Sequence, residues 1–472
     1  MIDFNRRQFL SGAAVGLGSM ALGSFMAQGA ESARAPGTHF PAKAKRVIYL
    51  LQAGGPPQME LFDYKPGLEK WRGQKLPDSV RQGQAFATSA GTVPHILPAI
   101  GAFKQYGQCG RWLAASMPHI GSIVDDICII DSMYTDHINH APAVTFLQTG
   151  SPIAGRPAIG AWVDYGLGSM NANLPSFVVL SSLGEGLVCG QPLYEHLWGA
   201  GFLPAAHQGT KLRGGADPCL FVKNPDGLSA GQKRAMLDTL GSLNRTHLQT
   251  SGDPEIAARI SQGELAFRMQ TSVPDLTDFS DEPDSVFELY GPMSRVPGTY
   301  AYNCLMARRM AERDVRFIQV YHSGWDFHGG LESRLPKQLR CVDQASAALV
   351  KDLKQRGLLD DTLVVWGGEF GRSVSIEAVK GDVKSPQSFG RDHHVRCFTT
   401  WMAGAGVKPG VSYGSTDDFS FNVVDKGVHI HDLQATMLER LGIDHTRLTA
   451  RYQGRDFRLT DVHGKVIKEI LS

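Results

Sequence analysis

Arg316-Phe317-Ile318-Gln319-Val320-Tyr321 runs into Trp325-Asp326-Phe327-His328. A short β-branched and aromatic run that ends in an Asp and a His one residue apart predicts a buried strand with ligand-type side chains at its C-terminal end. In open α/β sheets, ligands and catalytic groups gather at that end. The pattern recurs downstream. Leu363-Val364-Val365-Trp366 leads into Gly367-Gly368-Glu369-Phe370-Gly371-Arg372, and Gly390-Arg391-Asp392-His393-His394 follows. These segments predict one site assembled from several strand ends.

Outward from this stretch, strand and helix patterns alternate. Val47–Leu51, Ile127–Ile130 and Phe177–Leu180 read as strands, and Pro142–Leu147 as a helix stopped by Thr149-Gly150. Cys304–Arg313 and Asp343–Arg356 read as helices feeding the Phe317 and Val364 strands. Such alternation predicts an α/β fold with a mainly parallel sheet flanked by helices. Between about residues 201 and 300 the strand signal fades into helical patterns, Ala230–Leu243 and Pro254–Met269, then an acidic loop at Asp275–Asp284. That region is expected to be a mainly helical insertion or cap on a single domain spanning residues 36–472.

Asn5-Arg6-Arg7-Gln8-Phe9-Leu10-Ser11, a Gly- and Ala-rich apolar stretch and Ala33-Arg34-Ala35 together read as a twin-arginine signal peptide over residues 1–35. The expected location is periplasmic or secreted, with no membrane span after signal removal. Of the 472 residues, 47 are basic and 46 acidic, which gives no electrostatic bias toward nucleic acid. The seven cysteines (Cys109, Cys128, Cys189, Cys219, Cys304, Cys341 and Cys397) show no C-x-x-C spacing. That excludes zinc-finger and thioredoxin-type readings, and the odd count leaves at least one thiol free within the chain.

On a continuing strand, Asp326 and His328 face the same way. One carboxylate and one imidazole toward the same cavity form a half-site that zinc accepts; the alternative is a structural Asp–His hydrogen bond. His393 or His394 completes a two-His, one-carboxylate set, with Asp392 orienting an imidazole. Glu369 and Arg372 supply an acid and a fixed cation for an anion, or else an ion pair that holds the turn. In Thr135-Asp136-His137-Ile138-Asn139-His140-Ala141-Pro142, Asn139 is an N-cap candidate. His140 there serves as nucleophile, ligand or proton donor, whereas His137 reads as a loop residue. Glu60, Asp63 and Arg156 are candidates to reach the same mouth.

Taken together, the segments resemble domain-of-unknown-function family 1501, exported proteins grouped with the alkaline-phosphatase-like and sulfatase superfamily. The resemblance covers nearly the whole chain after the signal. It rests on the Gly-Gly-Pro turn after the first strand, N-H-x-P followed by T-G, and Gly155–Gly168. Ala307-Arg308-Arg309, W-D-x-H, G-E-F-G-R, G-R-D-H and Asp432–Thr436 also fit. It implies an alkaline-phosphatase-like fold, with Asp326, His328 and His393 holding one divalent metal (zinc, calcium or manganese). The acid of a second metal site is missing at Ala53-Gly54-Gly55, and its D-H pair is replaced by Glu369-Phe370. His140 stands where the sulfatase nucleophile would be.

Two functions follow. One is a metal-dependent hydrolase of anionic small-molecule or glycan esters, phosphate or sulfate. His140 is then nucleophile or general acid, and Glu369 and Arg372 belong to the catalytic set. The other is a non-catalytic relative that binds a glycan, an anionic ligand or a protein partner at the same pocket.

Overall fold

The computed structural model describes residues 37–84, 87, 95–182, 184, 193–214, 218–219, 224–378 and 388–472. The signal-peptide segment and Cys189 lie outside the described residues. Arg46–Ala53 is the central strand, eight residues long and buried throughout. Such a run of apolar side chains on both faces is what a strand with helices above and below requires. It pairs in parallel with Phe317–Ser323 on one side and Thr362–Gly367 on the other.

Across the main sheet the order is Val411–Tyr413, Ile127–Tyr134, Phe398–Ala403, Thr362–Gly367, Arg46–Ala53, Phe317–Ser323, Phe177–Ser182 and Thr210–Lys211. Phe398–Ala403 runs antiparallel to both neighbours, and the other pairings are parallel. The expected α/β class with a mainly parallel sheet flanked by helices is therefore observed. The three adjacent central strands end on the same edge. They bring Gly54-Gly55, the Asp326–His328 loop and Glu369–Arg372 side by side, Gly54 and Glu369 being 315 residues apart in sequence. A separate antiparallel hairpin, Gly371–Ala378 with Phe389–His394, folds over that edge and pairs His393 with Arg372.

Helices extend beyond their sequence-predicted limits. His140–Thr149 starts two residues earlier than expected, directly after Asn139, whose side chain makes no capping bond. Ala230–Ser251 and Pro254–Thr277 are joined at Gly252, left-handed at φ 69°, and linked by Arg234 paired with Glu264. The second of these runs through Pro274, so the expected acidic loop shrinks to residues 278–283, before Asp284–Tyr290. Tyr300–Glu312 and Leu331–Gln355 likewise start earlier than their patterns suggested. Tertiary packing of one face carries a helix past the point where local periodicity fades. Among the described residues no helix is long and apolar enough to cross a membrane. Cys128, Cys304 and Cys397 are buried as thiols, and Cys109 is an exposed one.

Under the site the core is aromatic. Trp366 and Trp401, opposite each other in adjacent strands, stack with ring centroids 6.2 Å apart, and Trp325 meets Trp366 edge-on at 6.0 Å. The indole nitrogen of Trp325 donates to Gln52 at 3.0 Å, which anchors the chain one residue before Asp326. Trp366→Ala is expected to lower the unfolding free energy by about 3–5 kcal/mol, because the rigid neighbours cannot close the cavity. A urea-unfolding midpoint unchanged from wild type would contradict that packing account.

Candidate metal centre

Phe317–Ser323 ends before the functional residues, so Asp326 and His328 lie on the loop beyond it. Gly54 explains how the loop is seated. Its φ is +119°, and a Cβ built there would stand 2.6 Å from the Asp326 nitrogen. Only a glycine lets the first strand's exit pass that close. On the far side, the Arg391 amide donates to the Phe327 carbonyl at 2.9 Å. A Cβ on Gly390 would fall 2.2 Å from the carbonyl carbon of His328, so the hairpin packs there main chain on main chain.

Four side chains converge in this enclosure: His140, Asp326, His328 and His393 each offer one ligand-type atom, all within 4.8 Å of one another. Asp326 Oδ1 stands 2.8 Å from His328 Nε2, 3.2 Å from His140 Nε2 and 3.5 Å from His393 Nε2. The Nε2 atoms of His328 and His393 are 3.0 Å apart.

The other nitrogen of every ring is anchored outward. His140 Nδ1 donates to Glu369 at 2.6 Å, His328 Nδ1 to Glu377 at 2.7 Å, and His393 Nδ1 to the Ile138 carbonyl at 2.7 Å. A carbonyl or carboxylate partner fixes the proton on Nδ1, so in the neutral rings all three Nε2 lone pairs point inward. His140 Nε2 is buried and faces the Asp326 carboxylate. Two lone pairs held 3.0 Å apart repel unless a proton or a metal ion sits among them. The donor set therefore fits a cation, and the outward anchoring is the arrangement that orients metal-ligating imidazoles.

Charge balance follows the same geometry. Burial opposes ionisation of Asp326, but hydrogen bonds from His140, His328 and His393, with Arg372 alongside, hold its carboxyl well below the usual carboxylate range. Burial favours neutral His328, yet its bonds to Asp326 and Glu377 push it up to about 9. His140 is raised too: burial is outweighed by bonds to Asp326 and Glu369. Burial, with Arg372 and the other rings nearby, lowers His393 despite its bond to Asp326.

Several expectations change. Arg372 is fully buried and aims its guanidinium inward. It donates to Asp326 at 2.5 Å, to the Gly55 and Arg391 carbonyls at 3.1 and 3.0 Å, and to the Gly54 carbonyl. All of these donors are engaged within the protein, the arrangement expected of an ion pair that holds the turn. Glu369 is also fully buried and accepts from the Gly54 nitrogen at 2.9 Å as well as from His140, a geometry that orients the His140 ring. Glu60 pairs with Arg391, Asp63 with Lys65 and Arg156 with Asp461, all away from the cluster. His137 packs edge-on against Phe146. His393, not His394, faces the cluster; His394 is buried against the Phe421 carbonyl, and burial lowers it to about 4. Asp392 accepts from the His393 backbone nitrogen, and a carboxylate oxygen of it lies within 4.8 Å of His328 and Glu377.

Glu377 and Ile138 were not singled out from sequence. The alternation Ser373-Val374-Ser375-Ile376-Glu377 was the available signal, since it marks a strand returning past Arg372.

Comparison with curated proteins finds no match. Among solved structures, the chain is similar to Ps i-CgsB in complex with k-i-k-neocarrahexaose at 12% identity, covering 86% of this chain and 72% of that one, TM-score 0.35. A protein in the alkaline phosphatase superfamily from Vibrio parahaemolyticus is similar at 11% identity, with coverage of 88% and 70% and TM-score 0.35. The lipoteichoic acid synthase LtaP from Listeria monocytogenes is similar at 9% identity, with coverage of 89% and 76% and TM-score 0.36. The profile described as "Protein of unknown function (DUF1501)" matches residues 44–471, and the chain belongs to that family.

Proposed function

We propose that the protein is a metal-dependent hydrolase of phosphate or sulfate esters, with a one-metal centre held by His140, Asp326, His328 and His393. The observation that carries this reading is the set of three imidazoles, each anchored at Nδ1, whose Nε2 atoms converge on one carboxylate oxygen. A donor set of three nitrogens and one carboxylate suits a borderline transition ion such as zinc or manganese. Calcium and magnesium prefer oxygen shells, so calcium leaves the list of candidates.

When bound, such an ion acts as a Lewis acid that polarises an ester oxygen or lowers the pKa of water. Asp326 contributes the anionic donor, and Arg372 fixes its direction. Glu369 holds His140 against the Gly54 backbone. The enclosure is uneven: the His140 and His393 side chains are 4% and 6% exposed, whereas Asp326 and His328 are 19% and 32% exposed. The substrate ester therefore approaches over Asp326 and His328. Behind His140, a cavity of about 20 Å³ lined by Ala53, Val144, Thr145 and Leu197 admits no more than a water. In this reading His140 is a ligand and not the nucleophile, and water attacks the ester. The twin-arginine pattern adds export of the folded, metal-loaded chain.

One observation favours the binding-only alternative. The residue at the expected nucleophile position has its Nδ1 committed to Glu369 and its Nε2 turned into the cluster. Turnover of aryl phosphates and sulfates separates the two readings.

Elemental analysis of protein purified without chelator is expected to give about one equivalent of a transition metal per chain. His140→Ala is expected to lose that metal as His328→Ala does; full occupancy in a folded His140→Ala variant would return His140 to the nucleophile role. Glu369→Gln is expected to weaken metal affinity by about 10- to 100-fold in a chelator competition. Hydrolysis of aryl phosphate or aryl sulfate is expected to vanish after metal removal and to return with zinc or manganese. Metal-loaded protein that turns over neither would support the binding reading.

A further inference from the structure

We propose that Glu377 is the positioning residue for His328, the solvent-facing ligand, and that it sets how tightly the centre keeps its ion. The inference rests on the metal reading above. The anchors of the three rings differ in kind. His140 is held by Glu369, which is fully buried and braced by the Gly54 amide, and His393 is held by a main-chain carbonyl. His328 is held by a partly exposed carboxylate at the mouth, Glu377 Oε2, 2.7 Å from Nδ1.

His328 is also the ring with the most freedom, since it is the most exposed of the three. An imidazole at an open edge swings away unless its second nitrogen is tied, and a carboxylate tie raises its basicity as a donor more than a carbonyl does. Glu377 lies on the same Gly371–Ala378 strand as Arg372, which clamps Asp326. One strand thus orients both neighbouring ligands of the open side, the carboxylate through a cation and the imidazole through an anion.

The test is cobalt(II) binding to the full mature chain and to Glu377→Gln, Glu377→Ala and Glu377→Asp variants, read by chelator competition and by the visible cobalt absorption bands. Expected is a dissociation constant about 10- to 100-fold higher in Glu377→Ala, with altered bands and partial recovery in Glu377→Asp. Circular dichroism of the metal-free variants should match wild type, since Glu377 keeps partial exposure one residue from the end of its strand. Affinity and bands unchanged in a folded Glu377→Ala variant would overturn the proposal while leaving the metal centre standing. Two equivalents in wild type and one in Glu377→Ala would also overturn it, because His328, Glu377 and Asp392 would then hold an ion of their own. No cobalt in wild type would defeat both this proposal and the reading beneath it.

Discussion

Arg372 places a permanent charge where no solvent reaches, and burying such a charge costs several kcal/mol unless every donor is met. Here the donors are met by Asp326 and by the carbonyls of Gly54, Gly55 and Arg391, which come from three separate stretches of chain. Gln58 completes the arrangement by bonding both the amide and the carbonyl of Arg372 at 2.9 Å. The exit of the first strand, the Asp326 loop and the hairpin must therefore all arrive together for the cation to be satisfied. A second buried cation repeats the device one layer out. Arg391 pairs with Glu60 and donates to the carbonyls of Leu97, Pro98, Ser373 and Val374.

This constraint makes the convergence of the four ligand-type side chains intelligible. Sheet order alone brings Gly54, Asp326 and Glu369 to one edge, because their strands are neighbours. It does not by itself bring His140, which follows a strand three places from the centre, or His393, which sits on a hairpin outside the main sheet. Glu369 draws in the first through His140 Nδ1. Arg372 draws in the second through the Arg391 carbonyl and the strand pairing with His393.

The parts legible in the sequence were those written locally. An apolar run that breaks into W-D-x-H shows a strand and what it carries, and alternation with helices shows a parallel sheet. Asp326 and His328 could be named from their neighbours alone, whereas the choice between His393 and His394 was left open by the residues and followed only from the family resemblance. For Arg372 the sequence left two roles open, an anion site or an ion pair that holds the turn, and its partner Asp326 is known only once the loop and hairpin are in place. The role of His140 was obscured for a similar reason: its partner Glu369 lies 229 residues away. Glu377 and the Ile138 carbonyl act across 49 and 255 residues: alternation marks the strand that carries Glu377, but not the ring its carboxylate meets.

Gly390 sets the distance between two of the rings without having a side chain of its own. The hairpin touches the Phe327–Gly329 loop through its backbone, so the gap between His328 and His393 is a property of main-chain packing. Repacking of nearby side chains leaves that gap alone, whereas a single methyl at position 390 wedges the two segments apart and leaves both imidazoles chemically intact. Evolutionary tolerance around this centre should then be inverted relative to intuition. The residues that appear most inert are the ones with the least room to vary.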